Sequence, residues 1–142
     1  MIDFNILLEK ECSNLLIKNA IILFFDEFLN EDEILICKKL PEYVLPDNIK
    51  LLIIKNKVMG DFSTLLEFWF RIEVGISDQS GFSFIKFLSK NTNMKILFPD
   101  EGVDPYVSIL INGDNSILVD LDPEKYDDYI YVISNQRGVI NK

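Results

Sequence analysis

Apolar residues change their spacing several times along this chain, and each change predicts an element. Phe4, Leu7, Leu8, Cys12, Leu15 and Leu16 fall at i, i+3, i+4 intervals, which predicts a helix over 4–18 with Asp3 as its N-cap. From Ala20 the run "AIILFFDEF" is short and β-rich, and it reads as a strand. The polar turn "NEDE" follows, then the strand "EILICKKL". Pro41 and Pro46 bracket a loop, because neither can donate to a sheet ladder. "KLLIIK" at 50–55 has the continuous apolar character of a strand covered on both faces, and "VMGD" turns the chain.

The clearest alternation lies over 64–77. Leu66, Phe68, Phe70, Ile72, Val74 and Ile76 alternate there with Leu65, Glu67, Trp69, Arg71 and Glu73. That is period two with one wholly apolar face, the mark of a strand. A helix over 80–90 takes its stripe from Phe84, Ile85, Phe87 and Leu88. Short strands are then predicted at 94–98, 106–111, 116–121 and 129–134. The sum is an α+β fold, one domain over 1–142, in which a mostly antiparallel, twisted, meander-like sheet of about seven or eight strands carries an N-terminal helix and a mid-chain helix on one face.

Between "YVSILI" and "SILVDL" stands Asn112-Gly113-Asp114-Asn115. Turn residues of this kind between two alternating runs are a hairpin signal. A calcium loop would need its glycine later and a Glu at its twelfth position. A phosphate cradle would need several glycines and a Lys. Neither is present, so the stretch is read as a turn.

Charge changes the picture more than composition does. The net charge is −9, and residues 99–135 hold nine acids against one base, while 34–95 hold six acids against nine bases. A one-signed field repels nucleic acid and anionic lipid and attracts cations over roughly 8–10 Å. The expectation is therefore no nucleic-acid partner and no membrane partner. The first residues carry no basic n-region or cleavage site, and no apolar run reaches the ~20 residues of a membrane helix. Cys12 and Cys37 lie outside any C-x-x-C spacing and read as reduced structural thiols. The address read from these features is cytoplasmic, and the Asn, Lys and Ile usage suits an AT-rich, bacterial genome.

Histidine is absent, which removes Ser–His and Cys–His nucleophile activation and the commonest transition-metal ligand. No G-x-S-x-G, H-E-x-x-H, Walker-type or G-x-G-x-x-G motif occurs. No catalytic residue, metal ligand or cofactor is expected. What the acidic third offers is recognition chemistry. Asp100, Glu101, Asp104, Asp114, Asp120, Asp122, Glu124, Asp127 and Asp128 are interleaved with Tyr126, Tyr129 and Tyr131, and Trp69 is a further aromatic off the apolar face. Carboxylates pair with Lys and Arg, and aromatic rings supply rigid contact area. The profile is that of a small acidic binding protein of the immunity or antitoxin type, whose partner is a basic toxin domain, a nuclease among the candidates. A secretion chaperone that dimerises around an effector segment is the alternative, although the strand-then-tail ending counts against it. A structural subunit or a carboxylate-only enzyme is the third reading.

Overall fold

The computed structural model describes residues 2–25, 28–71, 78–99 and 104–139. In chain order the strands and helices are β1 (Ile2–Leu8), α1 (Asn14–Phe25), β2 (Ile34–Cys37), β3 (Leu51–Lys57), β4 (Met59–Gly60), β5 (Thr64–Phe70), α2 (Asp78–Thr92), β6 (Ile96–Pro99), β7 (Val107–Asn112), β8 (Asn115–Leu121), α3 (Pro123–Tyr126), β9 (Ile130–Tyr131) and β10 (Ile133–Val139). Eight strands form one sheet in the order β10-β8-β7-β6-β1-β5-β3-β2, and β4 pairs with β9 in a second, two-stranded sheet. The predicted α+β class, mostly antiparallel with an N-terminal and a mid-chain helix, is the fold observed. The meander is confined to β6-β7-β8-β10; β1 is inserted between β5 and β6, and β2 joins β3 in parallel.

Two crossovers explain why both long helices lie on one face. β1 is antiparallel to both β5 and β6, so β5 and β6 run the same way and α2 carries the chain over β1 between them. β2 runs the same way as β1, and α1 makes that connection. Each parallel return needs a connection of a dozen or more residues, usually a helix. Beneath the helices, alternate residues of every central strand point to the same side: Ile6 and Leu8, Leu51 and Ile53, Leu66, Phe68 and Phe70, Ile109 and Ile111. Ile17, Ile21 and Phe25 of α1 and Phe84, Ile85 and Leu88 of α2 close over them. The centre is aromatic. Phe68 stacks on Phe4 with ring centroids 5.0 Å apart and meets Phe84 edge-on at 5.8 Å.

Two assignments made from spacing are corrected. Residues 4–8 belong to strand β1, not to a helix, and "AIILFF" ends helix α1 instead of forming a strand. Both segments are covered on more than one side. β1 sits mid-sheet, so Leu7 is buried on one face while Ile6 and Leu8 are buried on the other. The chance i, i+3, i+4 spacing of Phe4, Leu7 and Leu8 then mimics a helix. α1 is apolar nearly all round, with Leu15 and Leu23 exposed, so its stripe is masked. Its start is a side-chain cap: the Ser13 hydroxyl accepts from the Leu16 N–H at 3.2 Å. The predicted strand at 64–77 is observed as β5 up to Phe70, and 72–77 lie outside the described residues. The hairpin reading of 112–115 holds. Asn112 and Asn115 pair, and Gly113 takes φ +62° at the first turn position.

The other face of the sheet is apolar too, and it is covered differently. Leu7, Leu97, Leu110, Val119 and Leu121 form a second cluster with Phe62 and Tyr131. Phe62 comes from the β3–β5 connection, which leaves the sheet, adds β4 and returns, its neck closed by the Val58 N–H donating to the Ser63 carbonyl at 2.9 Å. β10 pairs with β8 through two register breaks, at 133/135 and 136/138. Among the described residues no helix is long and apolar enough to cross a membrane. Replacing Phe68 by Ala removes the ring shared by the sheet and α2; denaturant unfolding is expected to show a loss of about 3–5 kcal/mol.

Candidate partner-binding surface

The chain leaving β8 makes a tight acidic knob before it re-enters the fold as β9. Asp122 is the N-cap of α3, its Oδ1 accepting from the Glu124 N–H at 3.1 Å, and Pro123 occupies the first helical position, where its missing N–H costs nothing. The short helix ends through backbone bonds from Asp127 and Asp128, and Tyr129 then takes φ +60°. A left-handed residue that is not glycine reverses the chain and turns its ring outward; Tyr129 is 72% exposed.

The knob is bound to the body by two strands, one where the sequence reading placed a turn and the other inside its predicted strand at 129–134. β4 lies parallel to β9, with Met59 opposite Ile130 and Gly60 opposite Tyr131. The Asp61 N–H donates to the Tyr131 carbonyl at 2.8 Å, and the Ile133 N–H donates to Asp61 Oδ2 at 2.9 Å. Below, Tyr126 meets Tyr106 and Tyr131 edge-on at 5.4 and 5.5 Å. The phenol of Tyr131 is pushed up by burial first and by its tyrosine neighbours second.

The predicted site residues separate by role. Asp114, at the β7–β8 turn, is ion-paired with Lys90 of α2. Asp120 points to the opposite strand edge, where Arg137 of β10 grips both its oxygens at 2.7 and 3.0 Å and the Asn135 amide donates at 3.2 Å. Asp122 spends its carboxylate on the α3 cap. Tyr131 is buried in the second cluster, so it supports the knob from within and presents no face to solvent. Tyr126 is half-buried beside it. Asp104 is exposed, accepts from the Tyr106 N–H at 2.9 Å and adds to the negative field at Arg137. Trp69 is half-buried on β5 outside that cluster, and its indole N–H is buried without a partner. Asp100 and Glu101 lie outside the described residues.

Glu124, Asp127, Asp128 and Tyr129 are what the fold leaves outward, and none of these three carboxylates is in an ion pair among the described residues. The β4–β9 pairing adds two residues that spacing did not single out: Met59, 68% exposed, and Asp61, exposed. The surface is therefore a group of carboxylates around two exposed apolar side chains, with Lys125 as the base among them. The only hint in "VMGD" is its glycine.

Among the described residues no group of three or more Cys, Asp or Glu side chains is placed to hold a metal ion. Burial is the main influence on both thiols and raises them, opposed at Cys12 by Lys55 and at Cys37 by the Lys39 N–H. Both shifts disfavour the thiolate. No protein-family model, curated protein or solved structure matches the chain.

Two measurements check this geometry. A Cβ on Gly60 would stand 2.4 Å from the Tyr131 carbonyl oxygen, and the residue's φ is +105°. Gly60→Ala is expected to lose about 1–3 kcal/mol from backbone strain alone and to raise amide exchange at Asp61 and Ile133 before global unfolding. Arg137, then Asn135, hold the Asp120 carboxyl below the ordinary carboxylate value. A depressed folded value contributes stability above the unfolded pKa of about 3.9 and loses it as pH falls through the folded one. Acid unfolding of Arg137→Gln should therefore lack the part of the stability loss that the native protein shows below that value.

Proposed function

We propose that the protein is a small acidic binding protein of the immunity or antitoxin type, which neutralises a basic toxin domain by covering its cationic surface. The observation that carries the reading is the unpaired state of Glu124, Asp127 and Asp128 on a knob fixed by hydrogen bonds and tyrosine packing. A fold that uses Asp114, Asp120 and Asp122 internally leaves these three side chains unused. Unpaired carboxylates on a rigid support raise the rate of encounter with a cationic partner and fix its register. Tyr129 and Met59 supply the apolar anchors that charge alone does not, because affinity concentrates in a few well-packed side chains. A nuclease is a fitting partner class, since a phosphate-binding site is basic. No catalytic side chain is needed for this activity, and the reading places the protein in a bacterial cytoplasm with its toxin.

The test compares the native protein with a Glu124→Gln, Asp127→Asn, Asp128→Asn variant. The native protein is expected to retain a basic protein from the host at low salt, to release it as salt rises, and to relieve its toxicity on co-expression. The triple variant should fold unchanged and associate about tenfold or more slowly at low ionic strength, with the difference shrinking at high salt. Equal association rates for the two would remove the knob from the mechanism.

A further inference from the structure

The basic middle of the chain has its own structural expression, away from the acidic knob. Where the last residues of β2 and β3 meet the start of α1, a cleft of about 530 Å³ opens at the end of the sheet. Lys38, Lys55 and Lys57 line it together with Asn14 and Asn56, and Ile36 supplies its apolar side, with Cys37 next to it on the strand. A volume of this order matches small-molecule sites, which combine an apolar wall with a few convergent polar groups.

The charge balance inside the cleft is unusual for this chain. Acids outnumber bases by 23 to 14, yet the ion pairs among the described residues use Lys50, Lys90 and Arg137, and none of the three cleft lysines. Lys55 is held in place: its Nζ donates to the Cys12 carbonyl and, at 3.1 Å, to Asn14 Oδ1. Those bonds set an ammonium against the start of a twelve-residue helix whose first turn carries no acid. The helix start has the sign of a partial positive charge, roughly half a unit, so cation and pole repel. Glu11 is the one carboxylate on the lining. Three ammoniums and the helix pole, less Glu11, leave about two and a half positive charges. A phosphate monoester, carrying roughly −1.5 to −2 near neutral pH, matches that excess better than a single carboxylate does.

We propose that this cleft binds the phosphate monoester of a small organic molecule, with Lys38, Lys55 and Lys57 around the phosphoryl group and the organic part against Ile36. Nucleic acid shares the phosphate chemistry but brings a repeated charge that the −9 chain repels. The site is separate from the knob residues, so the two readings stand or fall apart.

The experiment titrates the isotope-labelled protein with a nucleoside monophosphate, with inorganic phosphate and with a single-stranded oligonucleotide, reading amide shifts. The monophosphate is expected to shift Asn14, Leu15, Ile36, Cys37 and Asn56, and to bind more tightly than inorganic phosphate. Lys38 and Lys57 are exposed, so Lys38→Gln and Lys57→Gln keep the fold, which unchanged distant amides verify. Each is expected to weaken the monophosphate about tenfold, the worth of one charge-assisted contact. Absent shifts at the cleft, equal affinity in the variants, or tighter binding of the oligonucleotide through the same residues would each overturn the proposal. Partner association through the knob should not change in either variant.

Discussion

A sheet that is apolar on both faces has to be covered on both, and the rest of this molecule follows from that constraint. One face is closed by the two helices, which the parallel returns β1-α1-β2 and β5-α2-β6 bring to the same side. Among the described residues the second face has no helix of that length. It is closed by a folded-back loop bearing Phe62 and by the segment that follows β8, which meet as β4 and β9. Burying apolar area is the main driving force of folding, so these two pieces are held by the same term that holds the core. The acidic knob is the outward side of that lid.

This origin explains how the acids divide. Asp114, Asp120 and Asp122 lie where strands end or pair, and local geometry gives each a cation or a row of amides. Glu124, Asp127 and Asp128 lie on the turn that the lid needs in order to double back, a place that demands polar residues but, among the described residues, supplies no ion-pair partner. Turn chemistry thus concentrates charge outward, and the tyrosine edge-to-face pairs under it keep that charge in one position. A flexible tail of equal charge would have to order on contact, at an entropic cost.

The fold class, α2, the β7–β8 hairpin and the strands near their observed places were legible because each rests on local period or turn chemistry. The failures have one physical source. β1 and α1 are both apolar on more than one side, and period cannot separate a strand buried on two faces from a helix exposed on its outer side. Charge counting found the acidic stretch, but it could not tell Asp120, gripped by Arg137 seventeen positions away, from Asp127, which has no ion pair among the described residues. Met59 and Asp61 were invisible for the same reason: their role depends on a parallel pairing with residues some seventy positions later. The lysine cleft is likewise assembled from the ends of β2, β3 and α1.

The outer strand β10 carries a further consequence. Its pairing with β8 slips twice within seven residues, and its side chains are nearly all in solvent. Breaks of this kind bend a strand and leave backbone groups out of line, so a straight segment from another protein finds no continuous ladder to join. Recognition on that flank must then pass through side chains.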